Sequence, residues 1–461
     1  VLQKFYEVKD WKCSNIEQLY DKIDDKKEAN NIINSIKICD PAVGSGHFFV
    51  YALNELISEK NDLKVLLDKQ GKTLSDYNVE VENDELVITD DDGELFEYTP
   101  NNKESQRIQE TLFQEKQSII ENCLYGVDIN PNSVKICRLR LWIELLKNAY
   151  YKENNSTELE TLPNIDINIK CGNSLISRYN LNVDIRKALK STKFSVDRYR
   201  NAVMSYRNAQ SKEEKREMEL LIESIKNDFE SKIAAHDKRL IRLNKLKGDL
   251  QTLTSQKNIF ELSETEKDLK EKQIKSTSET IKKLQVSLDE IKNNEAYEGA
   301  FEWRFEFPEI LNDEGEFVGF DIIIGNPPYG VKLTEKHTDI LKEQLFNSSE
   351  TAILFIYMGR KLLKEKGFQS YIIPKALTYS SNYSEIREVL KDELILVVDC
   401  HKPWQEVKLE ACIFQIQKSR KADKYHSLII RDNIFILLSE TPKSLIDEFG
   451  FILNGITQTE I

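Results

Sequence analysis

Residues able to do chemistry gather in three short stretches, each directly after an apolar run. Asn326-Pro327-Pro328-Tyr329 follows Phe320-Asp321-Ile322-Ile323-Ile324-Gly325. Two consecutive prolines restrict the backbone, so the Asn326 amide and the Pro327 carbonyl point in set directions. Those two oxygens can accept both hydrogens of an exocyclic amine, and Tyr329 offers a face for the attached ring. The second stretch is Asp40-Pro41-Ala42-Val43-Gly44-Ser45-Gly46-His47-Phe48. Gly44 and Gly46 let the backbone pass close to a ligand, the helix beginning at His47 presents free N–H groups, and Asp40 adds a carboxylate suited to an ammonium. No Lys-Ser/Thr pair comes after the glycines, so this is not a Walker A phosphate loop. The third is Tyr125-Gly126-Val127-Asp128-Ile129-Asn130-Pro131. An acid closing the second strand of a nucleotide-binding sheet receives ribose hydroxyls. Asp128 or Asn130 can also cap the helix opening at Pro131; the asparagine is better placed, which leaves Asp128 for a ligand.

Positioning these stretches requires a sheet. Short β-branched runs alternate with longer helical patterns, the mark of βα units and a parallel sheet. Strands are expected at 36–39, 124–128, 165–170, 320–325, 369–373, 394–399 and 411–417, the last two as an antiparallel hairpin at the sheet edge. Helices are expected at 47–58, 131–147, 350–366 and 383–390. Two insertions interrupt the alternation. One, at 78–98, reads as a small β meander with an Asp91-Asp92-Gly93 turn. The other, about 184–293, has no proline, one glycine and leucine/isoleucine at 3/4 spacing (Leu240, Leu243, Leu246, Leu250, Leu253, then Ile274, Ile281, Leu284, Leu288, Ile291). That pattern predicts a coiled-coil-like helical hairpin turning near Asn258–Ser263. The division expected is 1–183 (with the β insertion at 74–99), 184–300 for the helical insertion, 301–440 for the rest of the sheet domain, and 441–461 for a further start.

Composition sets the outer limits. With 461 residues, more than one structural unit is expected. Net charge is −13, which opposes a nucleic-acid partner, yet residues 186–300 carry 25 Lys/Arg against 20 Asp/Glu, so the rest of the chain stands at −18. The stretch Thr73–Asn102 contains no Lys or Arg and should face away from any phosphate backbone. Seven cysteines are scattered singly, without metal-ligand spacing, so neither structural zinc nor any other metal is expected, and a reduced cytoplasmic protein is. No run of 18 apolar residues exists to span a membrane. The first residues, Val1-Leu2-Gln3-Lys4, lack both an initiator methionine and a signal-peptide pattern, which suggests a fragment.

Taken in order, DPAVGSGHF, YGVDINP and GNPPY resemble motifs I, II and IV of the γ-type amino-methyltransferases of DNA. The likeness extends over about residues 1–440 and is nearest to the methylase core of type IIG restriction–modification enzymes. It implies a Rossmann-like class I methyltransferase sheet and S-adenosylmethionine as cofactor. On that resemblance, Asp40 holds the methionine ammonium within the Pro41, Ala42 and Phe48 segment. The Gly44–Gly46 turn passes beneath the cofactor, Asp128 binds the ribose and Ile129 packs on the adenine. The segment Cys171-Gly172-Asn173-Ser174-Leu175 is similar to motif III, with Asn173 where the family usually has Asp. Asn326, Pro327, Pro328 and Tyr329 would hold a target adenine flipped out of double-stranded DNA. Leu409–Lys418 resembles motif VIII, where an aromatic packs on the opposite face of that base; Ile416 stands at its position and Phe414 is the alternative.

Departures accompany the likeness. No motif X precedes motif I, and Val1–Trp11 resembles the segment immediately downstream of motif X. Residues 449–457 resemble the opening of a target-recognition domain, and no PD-(D/E)xK nuclease pattern is present. Nuclease and recognition parts would belong to the same parent chain. The expected activity is adenine-N6 methylation at a specific DNA site. The competing expectations are methylation of a protein glutamine or an RNA amine, whose planar group the same loop suits, and a cofactor-binding scaffold without activity.

Overall fold

The computed structural model describes residues 1–152, 155–179, 181, 192–209, 211–235, 238–255, 264–293, 297, 299–403, 409–432 and 434–461. By internal contact the chain divides into two units, Val1–Leu175 with Gly319–Ile461, and Ile176–Val318. Among the described residues no helix is long and apolar enough to cross a membrane.

In chain order the strands are β1 (Ile38–Asp40), β2 (Tyr77–Glu82), β3 (Glu85–Asp90), β4 (Leu124–Asp128), β5 (Tyr151–Lys152), β6 (Asn155–Leu159), β7 (Ile169–Cys171), β8 (Phe320–Gly325), β9 (Leu363–Pro374), β10 (Leu394–Asp399), β11 (Ala411–Gln417), β12 (Lys424–Arg431) and β13 (Ile434–Pro442). Nine form one sheet in the order β13-β12-β10-β11-β9-β8-β1-β4-β7. All run in one direction except β11 and β13. The chain goes outward from β1 to β4 and β7, then returns to β8 on β1's other side. Strand order therefore reverses between β1 and β8, and a crevice at the carboxyl ends there is where open α/β sheets bind ligands. This is a doubly wound α/β sheet.

The inner strands are apolar because they are covered on both faces. Ile38 and Cys39 of β1 and Leu124, Tyr125 and Val127 of β4 are buried. Helix Pro131–Leu146 shows how the sequence builds a covering layer. Asn130 caps it, its side chain accepting the Asn132 N–H at 2.9 Å, and proline occupies the first helical position. Val134, Cys137, Leu141 and Leu145 then fall on one buried face. Burying one such leucine is worth about 2 kcal/mol.

β4, β8, β10 and β11 have the expected bounds; other elements moved. β1 is displaced to 38–40. β7 starts at Ile169 because the Asn168 amide is drawn into a turn, donating to the carbonyls of Ile120 (3.1 Å), Glu121 (2.8 Å) and Leu124 (3.0 Å). The helix expected to reach 366 stops at Leu362, since β9 begins at Leu363 and pairs there with Phe320. β10 and β11 are antiparallel as expected but lie inside the sheet. The edge hairpin is instead β12–β13. In the 78–98 insertion, β2 and β3 meet at Asn83-Asp84, both in the left-handed region, and Thr89 bridges Leu95 across the Asp91–Gly93 turn.

The second unit is helical: Val196–Asn208, Lys212–Ala235, Lys238–Ser255 and Glu264–Asn293. The last two are the expected pair, with Leu243 and Ile281 buried; their turn at 258–263 lies outside the described residues. The sequence pattern alone does not separate the two earlier helices. Tyr199, Phe229, Trp303, Phe305 and Phe307 form an aromatic core, and the Tyr199 hydroxyl donates to the Phe305 carbonyl.

Candidate functional site

Asp40 ends β1 and is 2% exposed. Its Oδ1 accepts the Ala42 N–H at 2.9 Å. Burial pushes its pKa up to about 7; the Ala42 N–H partly offsets this, and the nearby Asp128 charge adds to it. Neighbouring β8 can pass only because its last residue is glycine. Gly325 has φ +154°, and a Cβ there would meet Asp40 Oδ1 at 2.6 Å. Sequence reasoning missed Gly325; its signal was a glycine between an apolar strand and the Asn-Pro-Pro loop.

The two glycines after Asp40 serve different ends. Gly44, at φ +54°, would bring a Cβ no nearer than 4.0 Å to the Ala42 carbonyl oxygen, and its N–H donates to Asp128 Oδ2 at 2.9 Å. Gly46, at φ +81°, makes room for a neighbour: a Cβ would meet Cys137 Sγ at 2.5 Å. Gly46 thus lets helix Pro131–Leu146 approach the turn. Pro41 is buried, Ala42 and Phe48 half-buried. Gly46 also begins helix His47–Asp62 with no side-chain cap.

Asp128 does more than the sequence suggested. Besides Gly44, it accepts the Asn130 N–H at 2.8 Å through Oδ1. It therefore ties the two loops together, and a carboxylate keeps further lone pairs for a ligand. A second tie is the Val43 N–H to the Val127 carbonyl at 2.9 Å. Ile129 beside it is 68% exposed, a bare apolar face. β7 pairs with β4, and the Gly172 N–H donates to the Asp128 carbonyl at 2.9 Å, which brings Asn173 alongside. Asn173 Oδ1 accepts the Leu175 N–H at 3.2 Å.

The loop after β8 alternates in exposure: Asn326 and Pro328 exposed, Pro327 buried, Tyr329 half-buried. Burial raises the Tyr329 pKa, so the phenol stays neutral at ordinary pH. Asp40, Gly44, Asp128 and Asn173 thus gather on β1, β4 and β7, with the Asn-Pro-Pro-Tyr loop on the adjoining β8. Phe414 and Ile416 do not join them. Both are fully buried inside β11, where Phe414 packs edge-on against Tyr371, so neither offers a face to a ligand. Because β11 runs opposite to β9, its first residues, not its middle, lie at the carboxyl edge. An unforeseen charged group sits there: Lys375 Nζ lies 2.6 Å from Asp399 Oδ2 and 3.5 Å from Glu410 Oε2. Its signal was a charge directly after β9, one closing β10 and one directly before β11. Among the described residues no cluster of His, Cys, Asp and Glu could hold a metal.

A doubly wound sheet with a glycine turn after its first strand and an acid ending the second defines a nucleotide-cofactor fold of the methyltransferase kind. Residues 122–402 match the family described as Eco57I restriction-modification methylase, and the chain belongs to that family. A Methanocaldococcus jannaschii protein named as a type II restriction enzyme and methyltransferase is 27% identical over 501 residues, covering 98% of this chain and 37% of that protein. The type II methyltransferase M.VspI of a Vibrio species is 26% identical over 117 residues, covering 25% of this chain and 29% of its own. The chain therefore spans well under half of these relatives. The type IIL restriction-modification enzyme MmeI, solved in complex with DNA, is similar at 10% identity and a TM-score of 0.38, over 95% of this chain and 37% of that one.

Proposed function

We propose that this chain methylates the N6 amine of adenine in double-stranded DNA, using S-adenosylmethionine, as the catalytic part of a restriction–modification enzyme. The observation that carries the reading is the exposed Asn326 on a proline-locked loop, one strand from the buried Asp40. The residues fit the cofactor. A carboxylate with its pKa raised to about 7 and one backbone hydrogen bond is a site that a cation relieves, as a methionine ammonium would. The uncrowded Gly44 turn and the spare lone pairs of Asp128 suit a nucleoside.

When bound, the cofactor supplies a methyl group on a sulfonium. The chain's task is to present the amine. Its lone pair is delocalised into the adenine ring, so Asn326 Oδ1 and the Pro327 carbonyl accept its two hydrogens and favour tetrahedral nitrogen. The same oxygens stabilise the positive charge that develops there. The loop holds no carboxylate or imidazole, and none is needed, because the proton passes to solvent only after the nitrogen has become acidic. Extrusion of the base costs a few kcal/mol, offset in part by stacking on Tyr329. Relatives named as restriction enzymes and methyltransferases support DNA as the substrate.

Single-turnover transfer of labelled methyl to duplex DNA tests this. Asn326→Ala should lower the rate about 10²–10³-fold, the usual loss for one preorganised charge-stabilising group, with cofactor affinity unchanged. A near-normal rate would make the loop structural and end the proposal.

A further inference from the structure

A cavity of about 510 Å³ lies in the first unit, apart from the site above: Asp40, Asp128, Asn173 and Asn326 do not line it. Its walls are the 68–70 turn, the 98–102 segment, the first turns of helix Lys103–Asn122, and β5. Side-chain bonds hold them in place. Tyr98 Oη donates to Gln106 Oε1 (2.6 Å) and accepts the Tyr151 N–H (3.2 Å), while Gln106 Nε2 donates to the Tyr151 carbonyl (2.9 Å). Across the cavity, Asp68 accepts the N–H groups of Gln70 (2.9 Å) and Lys72 (2.8 Å) and the Arg107 guanidinium (3.1 Å). The shape therefore exists before any ligand arrives, which lowers the ordering cost of binding.

Its charge is uneven. Lys69, Lys103, Arg107 and Lys152 line it against only Asp68 and Glu110. Both acids are engaged by cations of the lining, Glu110 by Lys69 and Asp68 by Arg107, which also pairs with Glu104 at 2.6 Å. Lys103 is exposed and makes no ion pair among the described residues; Lys152 pairs at 2.8 Å with Glu158, which is not part of the lining. Tyr98, Tyr151 and Pro100 add apolar surface.

We propose that this cavity binds a phosphorylated small molecule of mononucleotide size, its phosphate toward Lys103 and Lys152 and its ring among Tyr98, Pro100 and Tyr151. The volume lies within the roughly 300–1,000 Å³ of small-ligand sites. Lys103, which has no ion pair among the described residues, attracts an anion, and the aromatic walls select a ring-bearing anion over bare phosphate.

Calorimetric titration of the whole chain with AMP, inorganic phosphate and S-adenosylhomocysteine tests it. AMP should bind at least about tenfold tighter than phosphate, and independently of S-adenosylhomocysteine. The double variant Lys103→Glu/Lys152→Glu should weaken AMP at least about tenfold, a shift of 1.4 kcal/mol, and leave the S-adenosylhomocysteine titration unaltered. If the double variant melts early, the exposed single change Lys103→Gln should still weaken AMP measurably. Absent AMP binding, phosphate bound as tightly, competition with S-adenosylhomocysteine, unchanged affinity in the variants, or displacement of AMP by a short duplex would each overturn it. Loss of methyl transfer in Asn326→Ala bears on the other site alone.

Discussion

Two buried aspartates sit toward opposite ends of adjacent strands, and their surroundings differ in kind. Asp321, near the amino end of β8, accepts the Lys37 N–H at 2.8 Å and Lys4 Nζ at 3.2 Å, and also pairs with Lys364. It fastens the N-terminal helix Leu2–Lys9, β1 and β9 to β8. Asp40, at the carboxyl end of β1, has one backbone hydrogen bond, a raised pKa and a glycine pressed against it. Asp321 is satisfied by its neighbours; Asp40 is left electrostatically incomplete. The buried charge of Asp321 is compensated and that of Asp40 is not, and local rules of this kind are broken at functional sites.

Removing each acid should separate the two roles. Asp321→Ala leaves Lys4 and Lys364, each with side chains 15% exposed, without that counter-ion. Breaking a largely buried ion pair costs about 3–5 kcal/mol, so urea unfolding should shift by that order. A loss under about 1 kcal/mol would show that the cluster is a surface interaction.

Asp40→Asn should act in the opposite sense on the ligand-free chain. The folded-state pKa, about 7, stands above the usual 3.8. Below the lower value both states are protonated and the group contributes nothing. Between the two, the folded chain holds a proton that the unfolded chain has released, so stability falls as pH rises; above 7 the full cost persists. The neutral asparagine escapes it, and the variant should gain about 2–4 kcal/mol at pH 8 and almost nothing at pH 4. Its affinity for S-adenosylhomocysteine should collapse. Equal stability at both pH values would remove the contrast between the two edges.

A smaller effect is expected at Gly325. Alanine there places a methyl against Asp40 Oδ1 in a backbone region that L-residues avoid, at about 1–3 kcal/mol. Cofactor affinity should fall as the carboxylate is displaced. Calorimetry alongside thermal melting decides; unchanged affinity would mean that Asp40 tolerates movement.

How much was legible beforehand varied with the range of the interactions. β4 and β8 could be bounded because each is an apolar run stopped by Asp or Gly, signals carried by neighbouring residues. β9 could not, because Leu363–Lys366 would suit a helix and becomes strand only through pairing with β8 and the reach of Lys364 to Asp321. β12 and β13 escaped notice, since Lys424–Arg431 mixes polar and apolar residues and gains its partner from β10. Phe414 and Ile416 followed from the resemblance of Leu409–Lys418 to motif VIII, but strand direction set their depth in the sheet.

The sequence by itself determined the chemical groups, their order and their local supports: the glycine turn, the proline-locked loop and the Asn130 cap all depend on residues a few positions apart. Tertiary structure alone decided which groups meet. The Gly44 N–H on Asp128, Gly46 against Cys137, and Gly325 against Asp40 join segments tens to hundreds of residues apart. The raised pKa of Asp40 arises from burial and from a second acid 88 positions away. Contacts of that range arise from strand order, and a single sequence without its fold does not display strand order.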